Sequence, residues 1–179
     1  MGVAQLTTVG HGTLEADGFA ALVTAAGIDE LVDVRSFPGS RRHPHFARAQ
    51  MEQWLPRSNV AYRWERALGG FRKPRPDSRN VALRNAAFRG YADHMRTGEF
   101  IEALDRVVAD AAERPVVVMC SESLWWRCHR RLLADALVLS RGVDVRHLLH
   151  NGMSEPHRVT GGARLGDDGL PVYDVGVLL

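Results

Sequence analysis

The 179 residues predict a single α/β domain: a mostly parallel sheet flanked by helices, with a hairpin-like tail. Three observations carry that prediction. Short apolar runs alternate with helical stripes along the chain. The run Val116-Val117-Val118-Met119 is almost continuously apolar, which suits a central parallel strand covered on both faces. The length is that of one ordinary domain, and 45% apolar with 25% charged residues is a globular balance.

Leu6 to Val9 reads as the first strand. Phe19, Leu22, Val23 and Ala26 mark the buried face of a helix stopped by Gly27. Leu31 to Val34 reads as a second strand, followed by the turn Ser36-Phe37-Pro38-Gly39-Ser40. A helix is expected over Ala47 to Leu55, before Pro56, and a strand over Val60 to Glu65. Gly69 to Asn80 is rich in glycine, proline and arginine and reads as a mobile loop. Helices are expected over Asn85–Met95 and Glu99–Glu113, the second with the stripe Phe100, Ile101, Leu104, Val107, Val108 and Ala111. The central strand ends at Cys120. A helix from about Trp126 to Ser140 and a strand near Val143 to Leu149 follow it. The tail from Ala163 to Val175 reads as a hairpin around Asp167-Asp168-Gly169. Residues 1–150 are thus the α/β domain, and 151–179 a C-terminal extension packed on it.

No apolar run reaches the length of a membrane span. The first residues carry no basic region followed by an apolar stretch, so no secretory signal is read and a cytoplasmic setting is expected. Cys120 and Cys128 are too few for a disulfide scaffold and read as reduced thiols. Net charge is only +2, yet its distribution is uneven. Arg35 to Arg96 holds 14 basic and 4 acidic residues, a balance of +10. Such a block points to an anionic partner, a small molecule or a nucleic acid. The alternative is an arginine preference without function, since Lys73 is the sole lysine.

Sheets of this kind bind ligands beyond the carboxyl ends of their strands. Four strand ends there deliver polar groups: Gly10-His11-Gly12, Asp33-Val34-Arg35-Ser36, Cys120-Ser121-Glu122, and His147 with His150. In the segment from Cys120 to Arg131, helical phasing on Leu132, Leu133, Ala136 and Leu137 puts His129 on the buried stripe and Arg130 on its flank. His129 then either serves the site or is a structural histidine. Cys120 reads as a nucleophile, a metal ligand or plain packing. A cysteine-phosphatase loop would need arginine six positions on, where Trp126 stands, so that chemistry is rejected. Glu122 is placed to act as general acid, base or nucleophile, and Asp33 either assists it or anchors a loop by an ion pair. Arg41 and Arg42 lie in the basic block among Phe37, Trp54, Tyr62, Trp64 and Phe71. Arginines so interleaved with aromatics can grip phosphates and stack on bases.

Six stretches in order then form a recognisable pattern: Thr8 to Gly12, Leu31 to Pro38, Leu68-Gly69-Gly70, Val118 to Glu122, Cys128-His129-Arg130 and Val145 to Leu148. Together they resemble the bacterial and archaeal family called domain of unknown function 488, over about Thr7 to His150. The resemblance implies a compact cytoplasmic α/β domain and no established activity. It marks His11, Asp33, Arg35, Pro38, Gly69, Gly70, Cys120, Glu122, Cys128, His129 and Arg130 as characteristic positions. Gly12 departs from it, because the family usually carries serine or threonine there.

The leading expectation is an enzyme acting on a nucleotide or nucleic-acid-like anionic substrate. Glu122 would react, His11, Asp33 and Cys120 would assist, and Arg35, Arg130, Arg41 and Arg42 would bind phosphate. The Gly69-Gly70 loop would close over the site, and Cys128 and His129 would support it from behind. One rival is a non-catalytic nucleic-acid-binding module. The other is a metal or redox protein using Cys120, Cys128 and His129. No cofactor is expected. A four-ligand metal set completed by His11 stands against that expectation.

Overall fold

The computed structural model describes residues 4–175. Its elements are β1 (Gln5–Gly10), α1 (Ala16–Ala25), β2 (Glu30–Asp33), α2 (Arg48–Trp54), β3 (Ala61–Trp64), α3 (Ala86–His94), α4 (Gly98–Glu113), β4 (Val116–Cys120), α5 (Arg130–Arg141) and β5 (Asp144–Leu148), followed by β6 (Ser154–Pro156), β7 (Ala163–Leu165) and β8 (Pro171–Tyr173). Six strands form one sheet in the order β3-β2-β4-β1-β5-β6. The first five run parallel and β6 runs antiparallel to β5. β7 and β8 form the separate tail hairpin. No helix among the described residues is long and apolar enough to cross a membrane.

Alternation on the strands sorts the core into two layers. Val117 and Met119 of β4 and Val9 of β1 pack with Phe19 and Val23 of α1 and Met51 of α2. Val116, Val118 and Cys120 face the other way, against Phe100, Leu104 and Val107 of α4 and Leu132, Leu133 and Leu137 of α5. Every residue of β4 is buried, as its unbroken apolarity requires. Two helices have side-chain caps. Asn85 accepts from the Ala87 and Phe88 N–H groups, and Thr97 Oγ1 accepts from Phe100 N–H.

The chain leaves β1 through α1 on one face and leaves β4 through α5 on the other. β1 and β4 are adjacent, so their carboxyl ends diverge and open a crevice between them.

Three expectations need correction. The helix after β4 starts at Arg130, not near Trp126. Trp125–Arg127 is a short 3₁₀ turn, and Cys128 then adopts an extended backbone (φ −118°, ψ 154°) that interrupts helical phasing. His129 therefore precedes the helix instead of riding its buried stripe. Second, Arg130 is not on a flank but is buried, with 1% exposure. Third, the loop at Gly69-Gly70 is a fastened wall, not a free lid. Ser36 Oγ donates to the Gly70 carbonyl, Tyr91 Oη to that of Leu68, and His94 Nε2 to that of Ala67. The strand β6 was not expected; it is three residues long and contains a proline, which only a sheet edge accepts.

The segment after Leu149 is joined to the domain by a buried hydrogen-bond chain. Asp135 of α5 accepts from His157 Nε2 (2.8 Å), Tyr173 Oη (2.8 Å) and the Thr160 N–H (2.9 Å). His157 Nδ1 accepts from His147 Nε2, and His147 Nδ1 accepts from Thr8 Oγ1 of β1. Removing the one acceptor that three buried donors share leaves all three unsatisfied. Asp135→Ala is therefore expected to lower the unfolding free energy by about 3–5 kcal/mol, read by urea denaturation. A loss below about 1 kcal/mol would show that these donors find other partners.

Candidate active site

A cavity of about 490 Å³ fills the crevice at the carboxyl ends of β1, β2 and β4. His11 after β1, Arg35 and Ser36 after β2, and Cys120 to Ser123 after β4 line it. Phe37, Arg42 and His43 come from the loop ahead of α2, while Gly70, Phe71 and His129 complete the wall. Seven expected site residues thus share one cavity: His11, Arg35, Arg42, Gly70, Cys120, Glu122 and His129. Asp33, Gly69, Cys128 and Arg130 lie outside its lining and are buried behind it. Arg41 is exposed and does not line it.

Close packing at the β1–β4 seam fixes the floor. Gly10 pairs with Cys120. A Cβ on Gly10 would lie 1.8 Å from the Glu122 carbonyl oxygen and 2.8 Å from Arg130 Nη2, so only glycine fits. Gly12 has φ +54°, and a Cβ there would lie 2.2 Å from Ser123 Oγ. The departure from serine or threonine at this position thus has a local reason: Ser123 already occupies the space.

Cys120 Sγ stands at the floor among polar partners. His129 Nδ1 is 3.9 Å from Cys120 Sγ and 3.6 Å from Cys128 Sγ. His129 Nε2 donates to the Val34 carbonyl (3.1 Å), which turns the Nδ1 lone pair toward the two sulfurs. Behind them Arg130 donates to Thr8 Oγ1 (3.3 Å) and to the Glu122 carbonyl. Its Nε has no partner, and no carboxylate pairs with the guanidinium among the described residues. A donated bond from the Cys128 thiol holds the Cys120 thiol well below its ordinary pKa against the opposing effect of burial, with His129 and Arg130 adding to it. Burial pushes the Cys128 thiol up.

The remaining expected residues divide into bound and free groups. Arg35 forks onto Asp33 through Nε (2.9 Å) and Nη2 (2.6 Å) and also donates to the Phe46 carbonyl. Tyr62 Oη donates to the same Asp33 carboxylate (2.6 Å). Asp33 is therefore an anchor for Arg35. His11 stacks on Phe46 with ring centroids 4.1 Å apart, donates from Nδ1 to the Gly12 carbonyl, and turns Nε2 toward Arg35 Nη1 (3.4 Å). It is no fourth partner of the two cysteines. Glu122 is exposed at the rim, where Oε1 accepts the Leu124 N–H. Among the described residues, the backbone N–H groups of Ser121, Glu122 and Ser123 donate to no protein acceptor. Trp126 and Arg127 do not line the cavity.

The basic block is partly neutralised by folding. Arg63 pairs with Glu30, Glu65 and Asp110, Arg72 with Glu99, and Arg96 with Asp168. Four of those five acids lie outside the block in sequence, so a local count could not show the pairing. Trp54 and Trp64 spend their indole N–H groups on the His45 and Arg35 carbonyls. Only Phe37 (70% exposed) and Phe71 (86%) remain as open aromatics at the mouth.

A family model described as "Domain of unknown function DUF488" matches residues 15–137. The chain belongs to that family. No curated protein and no solved structure is significantly similar to it. The DUF488 match contains Asp33, Arg35, Gly69, Gly70, Cys120, Glu122, Cys128, His129 and Arg130. It begins after His11 and ends before His147, so the first and last of the six resembling stretches lie outside it. Ser40 and Ser123 were missed as cavity residues, and a lone serine in a polar loop gives no sequence signal.

Two buried histidines set a pH limit on this DUF488 fold. Burial, then Arg35, lowers the His11 pKa to about 4. Burial, then His157 and Arg130, lowers that of His147 to about 3. Both rings are neutral in the fold and protonate near 6.5 when unfolded. Between those limits the unfolded chain binds more protons, so stability present above pH 6.5 is lost as pH falls through the window. Urea denaturation at stepped pH is expected to show that decline, and His147→Gln to make it shallower. A flat profile from pH 6.5 to 4 would contradict the burial of both rings.

Proposed function

We propose that this protein is an enzyme that uses the Cys120 thiolate as a nucleophile on an anionic substrate of the nucleotide class. The observation that carries the reading is the set of groups around Cys120 Sγ, at the floor of a cavity assembled from three strand ends. The Cys128 thiol, the His129 imidazole and the unpaired Arg130 guanidinium all favour negative charge there. A buried guanidinium without a carboxylate is costly unless an anion lies close, and a thiolate supplies one.

In this reading His129 Nδ1 takes the Cys120 proton. Sγ then forms a bond to the electrophilic centre as the bond to the leaving group breaks. The proton now on His129 passes to the leaving group, and the Glu122 carboxylate at the rim accepts one from the water that attacks the covalent intermediate, which frees the Cys120 thiolate. Arg42 and the unpaired N–H groups of Ser121 to Ser123 supply the anion contacts. Arg35, fully engaged by Asp33, serves to position His11. Phe37 and Phe71 offer apolar faces at the mouth. A cytoplasmic setting fits thiols that must stay reduced.

Inorganic phosphate and a panel of nucleoside mono- and diphosphates test this by thermal shift, followed by mass spectrometry for a covalent adduct. At least one compound is expected to stabilise the wild type. Arg42→Ala should weaken that effect several-fold, and Cys120→Ser should bind yet form no adduct. The reading fails if no phosphate compound stabilises the wild type, or if Cys120→Ser turns substrate over normally.

A further inference from the structure

Beyond this nucleophile, we propose that Cys120, Cys128 and His129 form a three-ligand site for one thiophilic divalent cation of the zinc class, with its open position facing the cavity. The geometry carries it. Bonds of about 2.3 Å to sulfur and 2.05 Å to nitrogen, at tetrahedral angles, put ligand sulfur and nitrogen about 3.6 Å apart. The two S···N separations are 3.6 and 3.9 Å, and all three ligand atoms lie within 4.8 Å of one another. Small side-chain rotations would bring them onto a metal.

Two further contacts are those that metal sites use to orient their ligands. His129 Nε2 donates to the Val34 carbonyl, which fixes the tautomer and leaves Nδ1 for a metal. The Arg130 backbone N–H donates to Cys128 Sγ (3.5 Å), the bond that a ligating thiolate accepts. Cys120 and His129 line the cavity, whereas Cys128 closes the site from behind. A fourth position therefore opens on the substrate space, as in a catalytic and not a structural zinc site.

Charge selects the fourth ligand. Two thiolates and a neutral imidazole on a divalent ion sum to zero. The Arg130 guanidinium stays uncompensated, so an anion in the open position is favoured. Metal occupancy would also engage Cys120 and remove it as a free nucleophile. The metal-free and metal-loaded floors are then two different chemical states of one cavity.

The test titrates Co²⁺, then Zn²⁺, into the reduced, metal-free full-length protein. One equivalent of Co²⁺ is expected to give thiolate-to-cobalt charge-transfer absorption and tetrahedral d–d bands, which Zn²⁺ displaces. Cys128→Ser and His129→Ala, each checked for folding by circular dichroism, should lose those bands. Stoichiometric Zn²⁺ should slow iodoacetamide labelling of Cys120 in the wild type but not in His129→Ala. Should His129→Ala fail to fold, Cys128→Ser carries both comparisons. Absence of the charge-transfer band in the wild type, or its survival in the Cys120→Ser/Cys128→Ser double variant, overturns the site. Absent cobalt bands with Cys120 still fast to alkylate would leave the nucleophile reading standing. Bound metal with no substrate adduct on the metal-free protein would do the reverse.

Discussion

The seam between β1 and β4 is the constraint on which the remainder depends. Parallel pairing of Gly10 with Cys120 brings two strand ends together whose onward chains depart on opposite faces. A side chain at Gly10 would push out the Glu122 carbonyl and Arg130, and with them the loop that follows Cys120. The seam thus holds the Cys120 sulfur, the polar loop and the buried cation in one register. Packing supplies the force, because β4 is buried on both faces and cannot shift without exposing Val116 to Met119.

Electrostatics in the site runs from back to front. Arg35 is matched by Asp33, which Tyr62 Oη also holds, so its charge is settled inside the protein. Among the described residues Arg130 has no carboxylate partner, and it sits behind the two sulfurs. A buried cation behind the cavity floor, without a carboxylate partner, favours negative charge nearby. The proposed nucleophile and the proposed cation site draw on the same three side chains, Cys120, Cys128 and His129. The outward arginines behave differently, since several are spent on ion pairs that tie β3 and the following loops to α4 and the tail.

Much of this was legible in the residues. Apolar runs and helical stripes located every strand of the parallel sheet, since strand and helix periods are local properties. The strand-end rule placed His11, Arg35, Cys120 and Glu122 together before any geometry was known. What the sequence hid was non-local. The extended backbone at Cys128 breaks helical phase, so the projected roles of His129 and Arg130 were exchanged: the ring faces the cavity and the guanidinium is buried. The partial neutralisation of the basic block was hidden because Glu30, Glu99, Asp110 and Asp168 lie outside it in sequence. Likewise, Gly69 and Gly70 read as a lid because nothing in the sequence shows Ser36 and Tyr91 fastening that loop.

The chain of bonds from Tyr173 and His157 through Asp135 and His147 to Thr8 ends on the guanidinium beneath the cavity. Its outer links emerge from the ribosome after every residue of the cavity itself. Asp135 gains its full complement of donors only when Tyr173 arrives, and until then a carboxylate destined for the interior lacks one of its three. Ribosomal synthesis therefore completes this network only after every cavity residue has emerged, so a polypeptide cut ahead of Tyr173 would carry the Cys120 thiol above an unfinished scaffold.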